Sequence, residues 1–217
     1  MPVANRIELL NWAYDHNGII IEDDYDSEMK YLTNSIPALK SLDKSDHVVY
    51  LGSFSKIFIP SIRISYMILP NWLLHLYSEN FSLYENTTSK LHQKTLARFI
   101  KEGYWQKHVQ KMRRYYTKKY KCISQAINTY LLDKASIISI NSGLSVLLEI
   151  NTPASEAELI DRAKEAGIKI VPVSEYFSEH IQFRQKSVPQ ILLAFRGVPI
   201  ENIEPAIKLL SEAWFGK

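Results

Sequence analysis

A chain of 217 residues, 46% hydrophobic and 23% charged, is long enough to bury a core as one larger domain or two unequal ones. Its net charge of +3 is, as a sum, too small to argue for a nucleic-acid partner. Its single cysteine, Cys122, excludes an intrachain disulfide and a cysteine-built zinc cluster, and fits a reducing cytoplasm.

The first residues, MPVANRIELLNWAYDHNG, are polar and periodic, unlike a signal peptide, and no stretch is apolar enough to cross a bilayer. Ile7, Leu10 and Tyr14 predict an amphipathic helix with Asn5 as its cap. After Gly18, the run Ile19-Ile20-Ile21 ends in Glu22-Asp23-Asp24 and reads as a buried strand. Residues 26–46 read as loop plus a short helix. Val48–Leu51, ending at Gly52-Ser53-Phe54-Ser55-Lys56, and Ile64–Leu69, ending at Pro70, read as two more buried strands. Runs apolar on both faces predict a parallel or mixed sheet covered by helices, an α/β arrangement.

Past Pro70 the pattern turns helical over residues 72–101. Gly103 breaks it, and a long helix is expected from Trp105 to about Leu131. Ile137–Ile140 and Leu144–Ile150 flank Asn141-Ser142-Gly143, a hairpin signal. Ser155 and Glu158 form a capping box for a helix ending at Gly167. Ile168–Val173 and Ile191–Phe195 read as strands, and Ile203, Ala206, Leu210 and Ala213 as the apolar stripe of a last helix. The expected division is residues 1–100 as one domain and 101–217, with the long linking helix, as a smaller α+β domain.

Three polar clusters fall at strand ends: Asp23 with Tyr25, Ser53 to Lys56, and Arg63. Ligands of open α/β sheets bind there. An acid, a phenol, a lysine, small hydroxyls and an arginine are the parts that hold an aldehyde-bearing aromatic phosphate. Lysine amines condense with aldehydes. A carboxylate keeps a pyridine nitrogen protonated so that the ring accepts electrons. Arginine takes phosphate in a bidentate fork.

The segments IIIEDDYDSEMKY, IPALKSLD, VVYLGSFSKIFIPSIRISYMILP and GYWQKHVQKMRRYY resemble the aminotransferase-like domain of MocR-type transcription regulators, a branch of the GntR family. The resemblance implies a partial fold-type I, pyridoxal 5'-phosphate-dependent aminotransferase-like fold and a homodimer. It implies that Lys56 condenses with the cofactor aldehyde, that Asp23 pairs with the pyridine nitrogen and Tyr25 with the phenolic oxygen, and that Ser53, Ser55 and Arg63 frame the phosphate. It further implies a missing N-terminal part, including the DNA-binding winged helix through which DNA would be contacted. The family's carboxylate-binding arginine is matched by Glu175, with Arg184 and Arg196 nearby in sequence.

Blander readings stand beside these. Lys56 alone would be a solvated lysine, Arg63 a surface ion-pair partner, and Glu22-Asp23-Asp24 a solvated loop. A metal is not expected, because no histidine lies near those acids in sequence. The basic run Lys107, His108, Lys111, Arg113, Arg114, Lys118, Lys119, Lys121 reads first as the wet face of a helix, with DNA contact as the alternative. The tyrosines of that region read as helix packing. Three functions compete: a cytoplasmic regulator domain sensing a small amine or amino acid, a working aminotransferase, and an inert dimerisation scaffold.

Overall fold

The computed structural model describes residues 1–24, 28, 37–139, 145–176 and 188–216. They divide into two compact units, with the change between Met112 and Arg113.

In the first unit, helix α1 (Val3–Asp15) precedes strand β1 (Ile20–Asp24). The short helix α2 (Leu39–Leu42) leads to β2 (Val48–Ser53), and β3 (Ser65–Ile68) returns beside it. The sheet order is β1-β2-β3, with β1 parallel and β3 antiparallel to β2. The sheet is therefore mixed, as expected. Only the central strand is well buried, with Val48 and Val49 in the core. The expectation of three buried strands fails at both edges. β1 alternates, with Ile21 67% exposed, and all of β3 is exposed.

Helix α1 starts at Val3 after Pro2 with no side-chain cap, so Asn5 lies inside the helix rather than capping it. Ala13 is its buried residue, whereas Ile7 and Tyr14 of the expected apolar stripe are exposed. The helix closes through left-handed Asn17 (φ 49), with Gly18 N donating to Ala13 O at 2.8 Å. The helical region after Pro70 is two helices, α3 (Asn71–Phe81) and α4 (Lys90–Lys101). Gly103, at φ +78, separates α4 from α5 (Tyr104–Tyr130).

Carboxylates hold the loops of this unit, Asp43 and Glu22 among them. Asp43 accepts from the backbone N–H groups of Ser45, His47 and Val48 at 3.0, 2.9 and 2.8 Å and so fixes the entry to β2. Glu22 accepts from Leu39 N at 2.8 Å and Lys40 N at 3.0 Å, the first amides of α2, with Arg6 at 3.4 Å. Helix-opening amides have no partner within their helix, so an acid supplied from a strand satisfies them.

In the second unit, β4 (Ala135–Ser139), β5 (Ser145–Ile150), β6 (Val171–Pro172) and β7 (Gln190–Ala194) form an antiparallel sheet ordered β4-β5-β7-β6. The Asn141-Ser142-Gly143 turn lies outside the described residues, and the strands on either side of it pair antiparallel. The strand expected over Ile168–Val173 is two residues long. Helix α6 (Glu156–Glu165) carries the expected capping box, and Gly167 follows at φ +77. Helix α7 (Ile200–Phe215) buries Ile203, Ile207, Leu210 and Trp214. Ala206 and Ala213 of the expected stripe yield to the larger side chains one residue on, which remove more apolar surface from water. Trp214 Nε1 donates to Leu159 O at 2.9 Å and ties α7 to α6. Among the described residues, no helix is long and apolar enough to cross a membrane.

Replacing Glu22 with Ala leaves two helix-opening amides without their acceptor and takes from Arg6 its carboxylate partner, while its bond to Pro37 O remains. The expected loss is about 1–3 kcal/mol of stability. Urea unfolding of wild type and variant checks it, and an unchanged midpoint would show that the carboxylate contributes nothing.

Candidate functional site

Asp23, the Ser53 turn and Arg63 fall at one end of the first sheet because of its pairing. Parallel β1 and β2 finish at the same edge, and antiparallel β3 begins there. Asp23 stands opposite Leu51, and Ser53 opposite Ser65. One step further, Phe54 N donates to Ile64 O at 3.1 Å, which brings the chain beside Arg63 up to the start of the turn that carries Lys56.

Strand alternation sorts the acids. Glu22 and Asp24 point to one face, where Glu22 holds α2 and Asp24 accepts from Tyr50 Oη at 3.2 Å. Asp23 points to the other face. There Asp23, Leu51, Ser53, Ser65 and Met67 line an open groove of about 390 Å³, within the range that takes a small organic molecule. The sequence reading missed Ser65 and Met67; their signal was the period-2 alternation of β3 set against Ser53.

Lys56, Ser55 and Arg63 do not line that groove. Ser55 N donates to Ser53 Oγ at 3.3 Å, which orients the Ser53 hydroxyl at the strand end. Lys56 is exposed on the turn from Phe54 to Phe58, closed by Phe58 N donating to Phe54 O at 3.0 Å. The turn is pinned by its apolar members. Phe54 and Phe58 pack on a cluster of Ile62, Ile64 and Leu96, and Ile57 is buried. His108 from α5 places Nε2 2.8 Å from Ile57 O, so that nitrogen carries the proton, and its ring meets Phe58 edge-on at 5.5 Å. His108 is thus a packed residue rather than part of a wet basic face. Arg63 is left-handed (φ 48, ψ 42) at the end of the short 3-10 helix Pro60–Ile62 and is exposed. For a non-glycine residue that conformation is uncommon and is held here by the turn into β3.

Tyr25 and Arg184 lie outside the described residues. Glu175 and Arg196 belong to the second unit: Glu175 is exposed in the 3-10 helix Ser174–Tyr176, and Arg196 follows β7 half-buried. Among the described residues, no group of three His, Cys, Asp or Glu is placed to hold a metal ion.

The sheet end is packed closely on its other face. A Cβ on Gly52 would overlap the Tyr66 ring, so the ring lies directly on the glycine backbone. Burial pushes the Tyr66 phenol above its usual 10.0, with the charges of Glu28 and Asp24 adding and a hydrogen bond with Tyr50 opposing. A raised phenol favours the folded state below the unfolded pKa, and this contribution is lost as pH rises through the folded value.

Gly52→Ala is expected to force Tyr66 off the sheet and cost about 1–3 kcal/mol. Tyr66→Ala in the same chain should recover part of that loss. A double-mutant cycle by urea unfolding measures the coupling, and strictly additive effects would contradict the contact.

No protein-family model matches the chain. It is 44% identical over 214 residues to the uncharacterized HTH-type transcriptional regulator YdeL of Bacillus subtilis, covering 99% of this chain and 45% of that one. It is 31% identical over 215 residues to the probable rhizopine catabolism regulatory protein MocR of Rhizobium meliloti, covering 99% and 42%. The chain thus spans about half the length of the curated relatives it matches. In fold it is similar to the kynurenine aminotransferase of Pyrococcus horikoshii, with a TM-score of 0.83 at 24% identity over 96% of this chain and 50% of that one. By sequence, then, the chain is a homologue of MocR-type HTH transcriptional regulators, and it has the α/β fold of the aminotransferases.

Proposed function

We propose that this chain is the pyridoxal-phosphate-binding, ligand-sensing part of a bacterial HTH-type transcription regulator working in the cytoplasm. The reading rests above all on the convergence of Asp23, Ser53 to Lys56, and Arg63 at one sheet end. It is supported by regulators among the sequence relatives and by a fold neighbour whose structure was determined with PMP.

The donor set fits the cofactor. Asp23 offers a carboxylate in the same groove as the Ser53 hydroxyl. In this role it holds a proton on the pyridine nitrogen. Ser53, Ser55 and Arg63 supply hydroxyl, amide and guanidinium donors for a phosphate. Lys56 supplies the amine, and Tyr25 a phenol for the ring's own hydroxyl. Bound pyridoxal phosphate supplies an electrophilic aldehyde and an electron-accepting ring. A small amine or amino acid would be the effector, and its binding beside Lys56 would alter a homodimer and, through it, DNA binding by the HTH part of the whole regulator.

Adding pyridoxal phosphate to the chain should give the absorption band of a lysine-bound cofactor near the visible edge. Borohydride should then trap an adduct on Lys56. Lys56→Ala should abolish both while leaving the circular dichroism unchanged. Asp23→Ala, which removes one charged contact, should weaken binding about 10- to 100-fold. A wild-type chain with neither band nor adduct would end the proposal. Sustained transfer of amino groups from an amino acid to a keto acid would make the protein an aminotransferase instead.

A further inference from the structure

The charge of this chain is segregated. Eleven of its 26 Lys and Arg lie between residues 90 and 121 with one acid, Glu102, whereas the rest holds 15 cations and 22 acids. A net charge of +3 therefore conceals a strongly basic segment in an otherwise acidic protein. The segment is almost wholly α4 and α5, and α5 itself holds no Asp or Glu across its 27 residues.

The helix sorts these cations by phase. Lys107, Lys111, Arg114, Lys118 and Lys121 recur at intervals of four, three, four and three residues, which places them on one face. All five are exposed. Val109, Tyr116, Ile123 and Ile127 fall on the opposite face and are buried. Lys119 falls on that packed side and is 1% exposed; it donates to Phe195 O at 3.1 Å and Arg196 O at 2.7 Å. The run that reads in sequence as one basic face thus loses Lys119 and His108 to packing and keeps a single stripe. At 1.5 Å per residue the stripe is about 21 Å long.

An ordinary wet face mixes signs, as α6 does with Glu156 and Glu158 in its first turn and Arg162 and Lys164 in its last. Like charges three and four residues apart, as in the pairs Lys107 with Lys111 and Lys118 with Lys121, destabilise a helix, and a bound anion offsets that. A lipid surface would be bound best by a helix that also inserts apolar side chains, and here the apolar face of α5 is already buried. Duplex DNA carries one phosphate per about 1.7 Å of axis and needs no such insertion.

We propose that the stripe of α5 docks on the phosphate backbone of duplex DNA, a contact without base specificity that adds to whatever the regulator's HTH part reads. The choice of DNA as the polyanion rests on the regulator reading above; the stripe itself does not depend on the cofactor.

The test measures fluorescence anisotropy of a labelled duplex of arbitrary sequence with the chain at several salt concentrations. Four lysine contacts should give a slope of log affinity against log salt of about −3.6, or about 150-fold weaker binding at 200 mM than at 50 mM. Lys107→Gln, Lys111→Gln, Lys118→Gln and Lys121→Gln together should remove most of that slope. A second variant with Gln at Lys44, Lys164, Lys169 and Lys208, exposed lysines off α5, has the same net charge and should keep it. The titration is run without pyridoxal phosphate, so its outcome does not depend on the cofactor test. No duplex binding at 50 mM salt, or equal losses in the two lysine variants, would overturn the proposal. So would tight binding to phosphatidylserine vesicles with none to the duplex, which would assign the stripe to a membrane surface.

Discussion

The register of β1 on β2 is the constraint on which the candidate site depends. With Asp23 opposite Leu51, one carboxylate of three faces the groove while its two neighbours face away. A slip of one residue would exchange those faces and put Glu22 and Asp24 where Asp23 stands. What fixes the phase is a structural bond. Glu22 reaches the opening amides of α2 from only one face of β1, so the acid that holds the fold also aims the acid of the candidate site.

The turn after β2 follows a similar division of labour. Its polar residues, Ser53, Ser55 and Lys56, are interleaved with Phe54, Ile57 and Phe58, which pack. The backbone beneath Lys56 is held from both sides by apolar contacts and by His108 at the Ile57 carbonyl. The side chain of Lys56 is long and exposed, and its point of attachment is fixed. That combination suits a group that must engage a partner and be displaced from it.

Most elements were legible because they announce themselves locally. The Ser155–Glu158 capping box, the break at Gly103 and the long helix after it are all decided by neighbouring residues. What was not legible depended on partners distant in sequence. Three apolar runs looked equally buried, yet only β2 has a strand on both sides, and no local pattern tells a central strand from an edge. Lys119 looked like any member of a basic run. Its burial follows from helical phase together with two carbonyls 76 and 77 residues away. The groove combines residues from three strands, so Ser65 and Met67 could join Asp23 only once the pairing was known. Asn5 failed as a cap because Pro2, with its fixed backbone, opens the helix earlier.

The two units also differ in how they are stabilised, and the difference bears on the candidate site. The second unit buries large side chains completely, among them Trp214, Phe195, Leu148, Leu159 and Leu210. The first leaves Trp72, Leu74, Leu76, Tyr77 and Phe81 of α3 exposed, together with Tyr66, Met67 and Ile68 of β3. Apolar area left in water contributes nothing to folding, at about 25 cal/mol per Å² of forgone burial. The groove therefore sits on the less deeply buried unit, where positioning cannot come from the rigidity of a large core. It comes from a few specific contacts: Glu22 on α2, Tyr66 on Gly52, Phe54 and Phe58 on their cluster, and His108 on Ile57. Each acts within a few residues of a candidate side chain. Changes in groove geometry should therefore follow the loss of those contacts more closely than changes in overall stability.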